Sequence, residues 1–136
     1  MKKVIIAISQ EPTTMMNIYE SAEDYLEAIL MLQERKGNVH SIDIAEEKGY
    51  SKASVSIAMK KLRENGYISM DKTGVIKLLK PGRVVAERIY ERHKVLTELF
   101  EKLGVSSEIA AKDACKVEHD LSEETFEALK TYSAKL

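Results

Sequence analysis

The stretch that decides the fold runs from residue 41 to residue 79 and reads SIDIAEEKGYSKASVSIAMKKLRENGYISMDKTGVIKLL. Its first half predicts two short helices, because Ser41 and Ser51 can each cap a helix start and Gly49 supplies the tight turn between them. Its second half holds two strand-like runs, residues 67–70 and 75–79, on either side of the turn sequence DKTG at 71–74. Two helices, a glycine turn and a β-hairpin in this order predict a winged helix-turn-helix.

Helical patterns flank this stretch on both sides. Before it, a helical pattern from residue 21 stops at Gly37, and its apolar stripe is Tyr25, Leu26, Ile29, Leu30 and Leu32. After it, Pro81 opens a long helix to about residue 103, and Ser106 and Ser122 each open another. The sequence therefore predicts a mostly α chain. It comprises an N-terminal extension (1–16), a winged-helix domain of three helices plus a β-hairpin (17–80), and an α-helical domain (81–136).

The composition is that of a small globular protein. Hydrophobic residues make up 44% of the 136 positions and charged residues 32%, and both fractions are ordinary for a globular domain. The apolar run at residues 4–8 is too short for a signal core or a membrane helix, so we expect a short strand or a frayed arm there. The single cysteine, Cys115, excludes an internal disulfide and fits a reducing compartment. We therefore expect a cytoplasmic protein with no membrane partner.

The net charge of −1 hides a strong asymmetry along the chain. Residues 51–94 carry 11 basic and 4 acidic side chains, whereas residues 1–50 and residues 95–136 each carry 5 basic and 9 acidic ones. A basic middle between acidic ends is typical of a polyanion-binding surface, so the winged helix is predicted to bind double-stranded DNA. The alternative is a winged helix that contacts proteins and merely exposes a solvated basic helix.

The helix that begins after Ser51 is the predicted reading helix. Its stripe Val55, Met59 and Leu62 must face inward, which turns a face of small and basic side chains toward solvent. Small hydroxyls allow close entry into the major groove, and lysines can contact phosphates. The predicted DNA contacts are Ser41, Lys52, Ala53, Ser54, Ser56, Lys60 and Lys72, the last at the hairpin tip.

Two clusters of metal-ligand residue types lie at opposite ends of the chain. One is Asp24-x-x-Glu27, and the other is Cys115-x-x-Glu118-His119, with His93 standing alone between them. Residues three and four apart share a helix face, so each cluster can converge on one pocket. Singly, each residue type is more often structural than a ligand, but their grouping favours a metal site. Carboxylates and imidazoles suit Mn²⁺ or Fe²⁺, and a thiolate shifts the preference toward Fe²⁺, Co²⁺ or Zn²⁺, so we expect Fe²⁺ rather than Mn²⁺. Six ligands are enough for one ion or for two.

Several parts of the sequence, taken together, show a resemblance to a known protein family. It is carried by the winged helix and by three segments, SAEDYLEAI (21–29), YERH (90–93) and ACKVEHDLS (114–122). With these features the chain resembles, across about residues 17–136, the diphtheria-toxin-repressor family of iron- and manganese-dependent repressors. The resemblance implies a homodimer that represses metal-uptake genes by binding operator DNA. By position it implies six metal ligands, namely Asp24, Glu27, His93, Cys115, Glu118 and His119. Manganese sensors of that family carry glutamate at the position of Cys115, and iron sensors carry methionine at that of Asp24.

The expected mechanism is a metal that ties the N-terminal helix to the dimerisation domain and so fixes the spacing of two reading heads. One alternative is a metal-independent winged-helix regulator. A second is a small metalloenzyme. Against an enzyme, the chain shows no nucleophile–base pair and no glycine-rich phosphate loop, so we expect no catalytic activity and no small-molecule substrate.

Overall fold

A computed structural model describes the backbone of residues 10–136 and the side chains from residue 20 onward; the strand or arm expected at residues 1–8 lies outside this range. Within it, six helices and one two-stranded sheet follow in the order α1 (Gln10–Lys36), α2 (Ser41–Lys48), α3 (Lys52–Glu64), β1 (Ile68–Met70), β2 (Ile76–Leu78), α4 (Lys80–Lys102), α5 (Ser107–Val117) and α6 (Glu123–Ser133). The predicted mostly α fold with a winged helix is confirmed.

The chain divides into two compact units, one ending at Ala86 and the other comprising Glu87–Leu136. The division falls within α4, and the domain ranges 17–80 and 81–136 stay a prediction. No helix of the described residues is both long enough and apolar enough to cross a membrane.

The first unit is built on the stripes that the sequence predicts. Val55, Met59 and Leu62 of α3 are buried, and so are all five apolar residues of the α1 stripe. Strands β1 and β2 pair antiparallel with Ser69 opposite Lys77, and Val39 adds a one-residue bridge to Ile76 at the edge of the hairpin. The core of the unit therefore lies beneath the reading helix and the wing.

The hairpin tip is ordered by a single carboxylate. Asp71 Oδ1 accepts hydrogen bonds from the Thr73 N–H (2.9 Å), the Thr73 hydroxyl (2.7 Å) and the Val75 N–H (3.0 Å). These bonds, led by the one from the Thr73 hydroxyl, hold the pKa of the Asp71 carboxyl below its ordinary value. The tip that carries Lys72 is therefore a preformed turn.

Two details of the predicted helices differ in the structure. His40, not Ser41, is the N-cap of α2, because its backbone N–H donates to Asp43 Oδ2 at 2.8 Å across the first turn. Ser41 is instead the first helical residue and is half-buried. Ser51, Ser106 and Ser122 do cap α3, α5 and α6, since each hydroxyl accepts the backbone N–H three residues on.

Gly82 allows the start of α4 to lie directly against the wing. A Cβ at this position would overlap the backbone carbonyl oxygen of Tyr67, and it would lie 3.3 Å from Cδ2 of Leu26. The same Tyr67 carbonyl accepts the N–H of Leu79 at 2.9 Å. The close approach of helix and hairpin therefore requires a residue without a side chain.

Candidate functional site

A buried carboxylate between two imidazoles is the centre of the second unit. Glu118 has no exposed side-chain surface, and its Oε1 lies 2.9 Å from Nδ1 of His93 on α4. Its Oε2 lies 3.4 Å from Nε2 of His119. The two histidine side chains are 17% and 5% exposed, so all three groups are largely withdrawn from water. Buried charges in proteins are paired or coordinate metals, and here two imidazoles lie beside the buried carboxylate.

Arg92 fixes the turn that carries this carboxylate. Its side chain is 3% exposed, and Nη1 donates to the carbonyl oxygens of Glu118 (3.1 Å) and Leu121 (2.7 Å). Nη2 donates to Oε1 of Glu123 at 3.0 Å, and the group lies 5.1 Å from the centroid of the Phe126 ring. Arg92 and His93 are neighbours on α4, so one positions the backbone of Glu118 while the other contacts its side chain.

The expectation that one helix carries Cys115, Glu118 and His119 is wrong for the last of them. Helix α5 ends at Val117, Glu118 is its C-cap with helical backbone angles, and His119 lies in the following turn. At this point the helical pattern gives way to a tighter turn, because the N–H of Asp120 bonds to the carbonyl of Val117 three residues back. The Glu118 carbonyl, one of the unpaired acceptors of the helix end, accepts a hydrogen bond from Arg92.

Cys115 lies in the last turn of α5 and is half-buried. Among the residues that the structure describes, Cys115 belongs to no group of three metal-ligand atoms within 4.8 Å of one another. Its assignment as a ligand therefore stays a prediction.

In the first unit, Asp24 and Glu27 lie on adjacent turns of α1. One carboxylate oxygen of each is within 4.8 Å of the other, and Glu27 is only 3% exposed. Asp24 Oδ1 lies 2.7 Å from Nζ of Lys48, and its Oδ2 accepts the Tyr50 hydroxyl at 3.1 Å. The structure thus brings the two predicted ligands of α1 together and adds two partners that the sequence did not predict.

Two tyrosines lie close enough to Asp24 for its carboxylate to affect their pKa values. The rings of Tyr25 and Tyr50 meet edge to face, with centroids 5.7 Å apart. Burial raises the pKa of both phenols, the Asp24 carboxylate raises it further, and Lys48 lowers it. Asp24, Lys48 and the two rings therefore form one compact electrostatic group.

The predicted DNA-contact residues of α3 are on its solvent face. The side chains of Lys52, Ala53, Ser54, Ser56 and Lys60 are exposed, as is Lys72 at the hairpin tip. The Ser54 hydroxyl accepts a hydrogen bond from the Ser51 hydroxyl at 2.9 Å, so this side chain also serves the helix start. Exposure makes these residues available to DNA, and their contacts stay a prediction.

Sequence reasoning missed three residues of the site. Arg92 was counted within the basic surplus, but it is buried and so contributes nothing to a DNA-binding face. Its position beside His93 is the signal that could have indicated a structural role. Lys48 and Tyr50 left no comparable signal, because their contact with Asp24 joins positions 24 and 26 residues apart.

Comparisons with known proteins agree on one family. Residues 17–75 match the family described as "Iron dependent repressor, N-terminal DNA binding domain", and residues 80–136 match "Iron dependent repressor, metal binding and dimerisation domain". The transcriptional regulator MntR of Escherichia coli is 34% identical over 116 residues, which cover 85% of this chain and 75% of that protein. The chain belongs to the diphtheria-toxin-repressor family.

Further similarities agree with this membership. The HTH-type transcriptional regulator MntR of Geobacillus kaustophilus is 35% identical over 102 residues, which are 75% of this chain and 72% of that protein. The solved structure of a manganese-dependent transcriptional repressor with manganese aligns with a TM-score of 0.75 at 28% identity, covering 83% of this chain and 52% of that one. The manganese regulator SloR aligns with a TM-score of 0.72 at 28% identity, covering 85% and 54%.

This chain thus spans about half the length of those solved structures. Members of the diphtheria-toxin-repressor family are transcriptional regulators and not enzymes, and metal dependence is the family's mode of control. The alternatives of a metalloenzyme and of a metal-independent regulator are accordingly not favoured.

Proposed function

We propose that this chain is a metal-dependent transcriptional repressor that binds operator DNA as a homodimer and controls genes of metal uptake. The observation that carries the proposal is the buried Glu118 carboxylate between the imidazoles of His93 and His119. Carboxylate and imidazole are donors that suit a divalent transition metal, and a match to a metal-binding and dimerisation domain supports the same conclusion. The exposed basic face of α3 and the match to a DNA-binding domain support the operator.

The proposed ligands come from both ends of the chain: Asp24, Glu27, His93, Cys115, Glu118 and His119. One or two divalent ions bound by these residues would supply the positive charge that offsets repulsion among the carboxylates. Shared ligands would in this way join α1 to the helices of the dimerisation half. Asp24 and Glu27 then hold the N-terminal helix in one position, and with it the reading helix α3. Coupling between two such sites is typically about 1–3 kcal/mol, which corresponds to roughly 5- to 150-fold tighter DNA binding.

The identity of the activating ion is the finer part of the proposal. A thiolate at Cys115 favours Fe²⁺ over Mn²⁺, because it is the softer donor. Mn²⁺ is the second candidate, because similar proteins bear the names of manganese regulators and because Asp24 supplies a hard oxygen. Replacing Cys115→Glu should weaken Fe²⁺ binding relative to Mn²⁺, and calorimetric titration with each ion under anaerobic conditions measures the ratio.

The test is DNA binding by the purified full chain. A binding sequence is first selected from a random duplex pool with Mn²⁺ or Fe²⁺ present. Its affinity is then measured by fluorescence anisotropy during separate anaerobic titrations with Fe²⁺, Mn²⁺, Co²⁺ and Zn²⁺. We expect DNA affinity to rise with at least one ion and to lose that response in His119→Ala.

A matched control is Lys112→Ala, which removes an exposed charge of α5 that pairs with Glu108 one turn earlier on the same helix. This variant should respond to metal as the wild type does. Two results together would establish a metal-independent regulator instead. DNA affinity would be equal with and without every ion, and it would be unchanged in the double variant Cys115→Ala, His119→Ala.

A further inference from the structure

Asp24 is held by side chains of its own unit. Lys48 contacts Oδ1 at 2.7 Å, and the Tyr50 hydroxyl donates to Oδ2 at 3.1 Å. The Asp24 side chain is 15% exposed and that of Lys48 is 19% exposed, so this ion pair lies largely out of water. In such surroundings a charge-assisted hydrogen bond is stronger than its exposed counterpart. The carboxylate therefore already has a cation beside it.

The backbone around Lys48 fixes that cation in place. Lys48 is the last residue of α2, and Gly49 follows in the left-handed conformation with φ of 71° and ψ of 24°. The turn reverses the chain so that Tyr50 reaches the same carboxylate, while its ring packs against Tyr25. Both partners of Asp24 thus come from one three-residue turn.

We propose that Lys48 is an internal competitor of the metal at Asp24 and that it sets the metal affinity of the site. This inference rests on the proposed function, since it takes Asp24 as a ligand. An ammonium group 2.7 Å from a ligand oxygen repels a divalent cation that approaches the same oxygen, and the repulsion is strong where water is scarce. Binding must therefore displace Lys48 or occur against its charge.

The same contact links the ligand to the reading helix. Lys48 ends α2, and the turn leads through Tyr50 directly to Ser51, the N-cap of α3. Release of Lys48 from Asp24 on metal binding would therefore change the contacts of the turn of the helix-turn-helix itself. Lys48 is accordingly a positioning and affinity-setting residue, not a ligand.

The experiment compares Mn²⁺ and Co²⁺ affinities of the purified full chain by calorimetry, together with the rise in Tm that each ion produces. Lys48→Met keeps an unbranched apolar stem and removes the charge, and Lys48→Gln is a second neutral variant that can still donate a hydrogen bond to Asp24. We expect both to bind metal at least about fivefold more tightly than the wild type and to show a larger metal-induced rise in Tm.

Two further variants separate charge from structure. Lys48→Arg retains the cation, so its metal affinity should stay near that of the wild type. Lys36→Met removes an equal charge from the same unit, where the lysine pairs with Asp43 and not with Asp24, and should leave metal affinity unchanged.

The outcomes distinguish this inference from the proposed function. Tighter binding by the neutral Lys48 variants alone supports the competitor. If the wild type binds metal and the neutral Lys48 variants bind it equally or more weakly, the inference is overturned and the proposed function still stands. Absence of binding by every protein overturns both.

Discussion

At the scale of the residue, Glu118 carries a desolvation cost that its partners must offset. An ionised carboxylate with no contact with water is stable only when it is hydrogen-bonded, paired with a cation or bound to metal. Two imidazoles with ring nitrogens within 3.4 Å of its oxygens are its partners in the structure, and imidazole is also a common ligand of transition metals. One residue therefore serves both stability and the proposed metal response.

Replacing Glu118→Gln should separate these two roles. The amide keeps the shape and one acceptor oxygen but removes the charge, so we expect metal affinity to fall by about 10- to 100-fold or more. Calorimetric titration with Mn²⁺ and Fe²⁺ measures the loss. Glu108→Gln is the matched control, because Glu108 is exposed and contacts Lys112 on its own helix. Undiminished metal affinity in Glu118→Gln would remove Glu118 from the ligand set.

Gly82→Ala should destabilise the protein although alanine is the better helix former. In an open helix this change is worth about 1 kcal/mol of added stability, whereas here the new Cβ would overlap the Tyr67 carbonyl. Overpacking of this kind costs about 1–3 kcal/mol, and we expect the loss to dominate. Urea unfolding measures it, with Val84→Ala at an exposed position of α4 as control. A gain in stability would show that α4 can move away from the wing at little cost.

At the scale of the element, the turn between α5 and α6 depends on a guanidinium from α4. Arg92→Met should lower the free energy of unfolding by about 2–4 kcal/mol, because two carbonyls and one carboxylate lose a buried charged donor. Metal affinity should fall as well, since the Glu118 backbone is no longer held. Urea unfolding and calorimetry measure the two effects.

The control for Arg92 is Lys130→Met, which removes an exposed ion pair between Lys130 of α6 and Glu91 of α4. We expect little change in stability or in metal affinity from it. Arg92→Lys should recover only part of the loss, because an ammonium cannot donate in the forked geometry of a guanidinium. Full recovery by lysine would mean that charge alone, and not the fork, holds the turn.

The start of α2 should respond to pH through Asp43. The hydrogen bond from Lys36, followed by the one from the His40 N–H, lowers the pKa of this carboxyl below its ordinary value of 3.8. A lowered folded-state pKa contributes stability that is present above 3.8 and is lost as the pH falls through the folded value. Asp43→Ala should therefore cost about 1 kcal/mol at pH 7. Urea unfolding should show that cost shrinking on acidification below pH 3.8; a constant cost would contradict the linkage.

The elements that the sequence predicts correctly are those whose causes are local. Ser51 and the stripe at Val55, Met59 and Leu62 define α3 within a dozen residues, and the structure agrees. Helix α5 ends at Val117, earlier than its spacing indicates, and the Glu118 carbonyl just beyond its end accepts a hydrogen bond from Arg92, 26 residues away. No local pattern carries information about such a bond.

At the scale of the whole molecule, the charge asymmetry predicts how DNA binding depends on salt. Each phosphate contact contributes a slope of about −0.9 to the dependence of log affinity on log salt concentration. Lys60→Ala should therefore weaken binding to all duplexes and reduce the slope by about 1 for each contact removed. Anisotropy titrations at several salt concentrations measure it. Lys112→Ala, on α5, should leave the slope unchanged, and an unchanged slope in Lys60→Ala would place that lysine away from the phosphates.

The candidate site could be predicted from the sequence in its ligand types but not in its neighbours. The spacing of the sequence groups Glu118 with His119, and the structure brings both side chains together with that of His93; their role as metal ligands stays a prediction. Lys48 and Arg92 are ordinary basic residues in the sequence, and only folding places one beside Asp24 and buries the other. The residue types in the sequence indicate which donor atoms a site can offer, whereas the side chains that surround those donors are brought there by packing between distant parts of the chain.

The self-contained turn at the hairpin tip has a consequence for the thermodynamics of association. Three hydrogen bonds to the Asp71 carboxylate already restrict the backbone around Lys72 before the hairpin tip contacts DNA. A loop that is ordered in advance forfeits little conformational entropy when it docks. Loosening the tip with Asp71→Ala would therefore penalise recognition entropically, even though that residue itself need never touch a nucleotide.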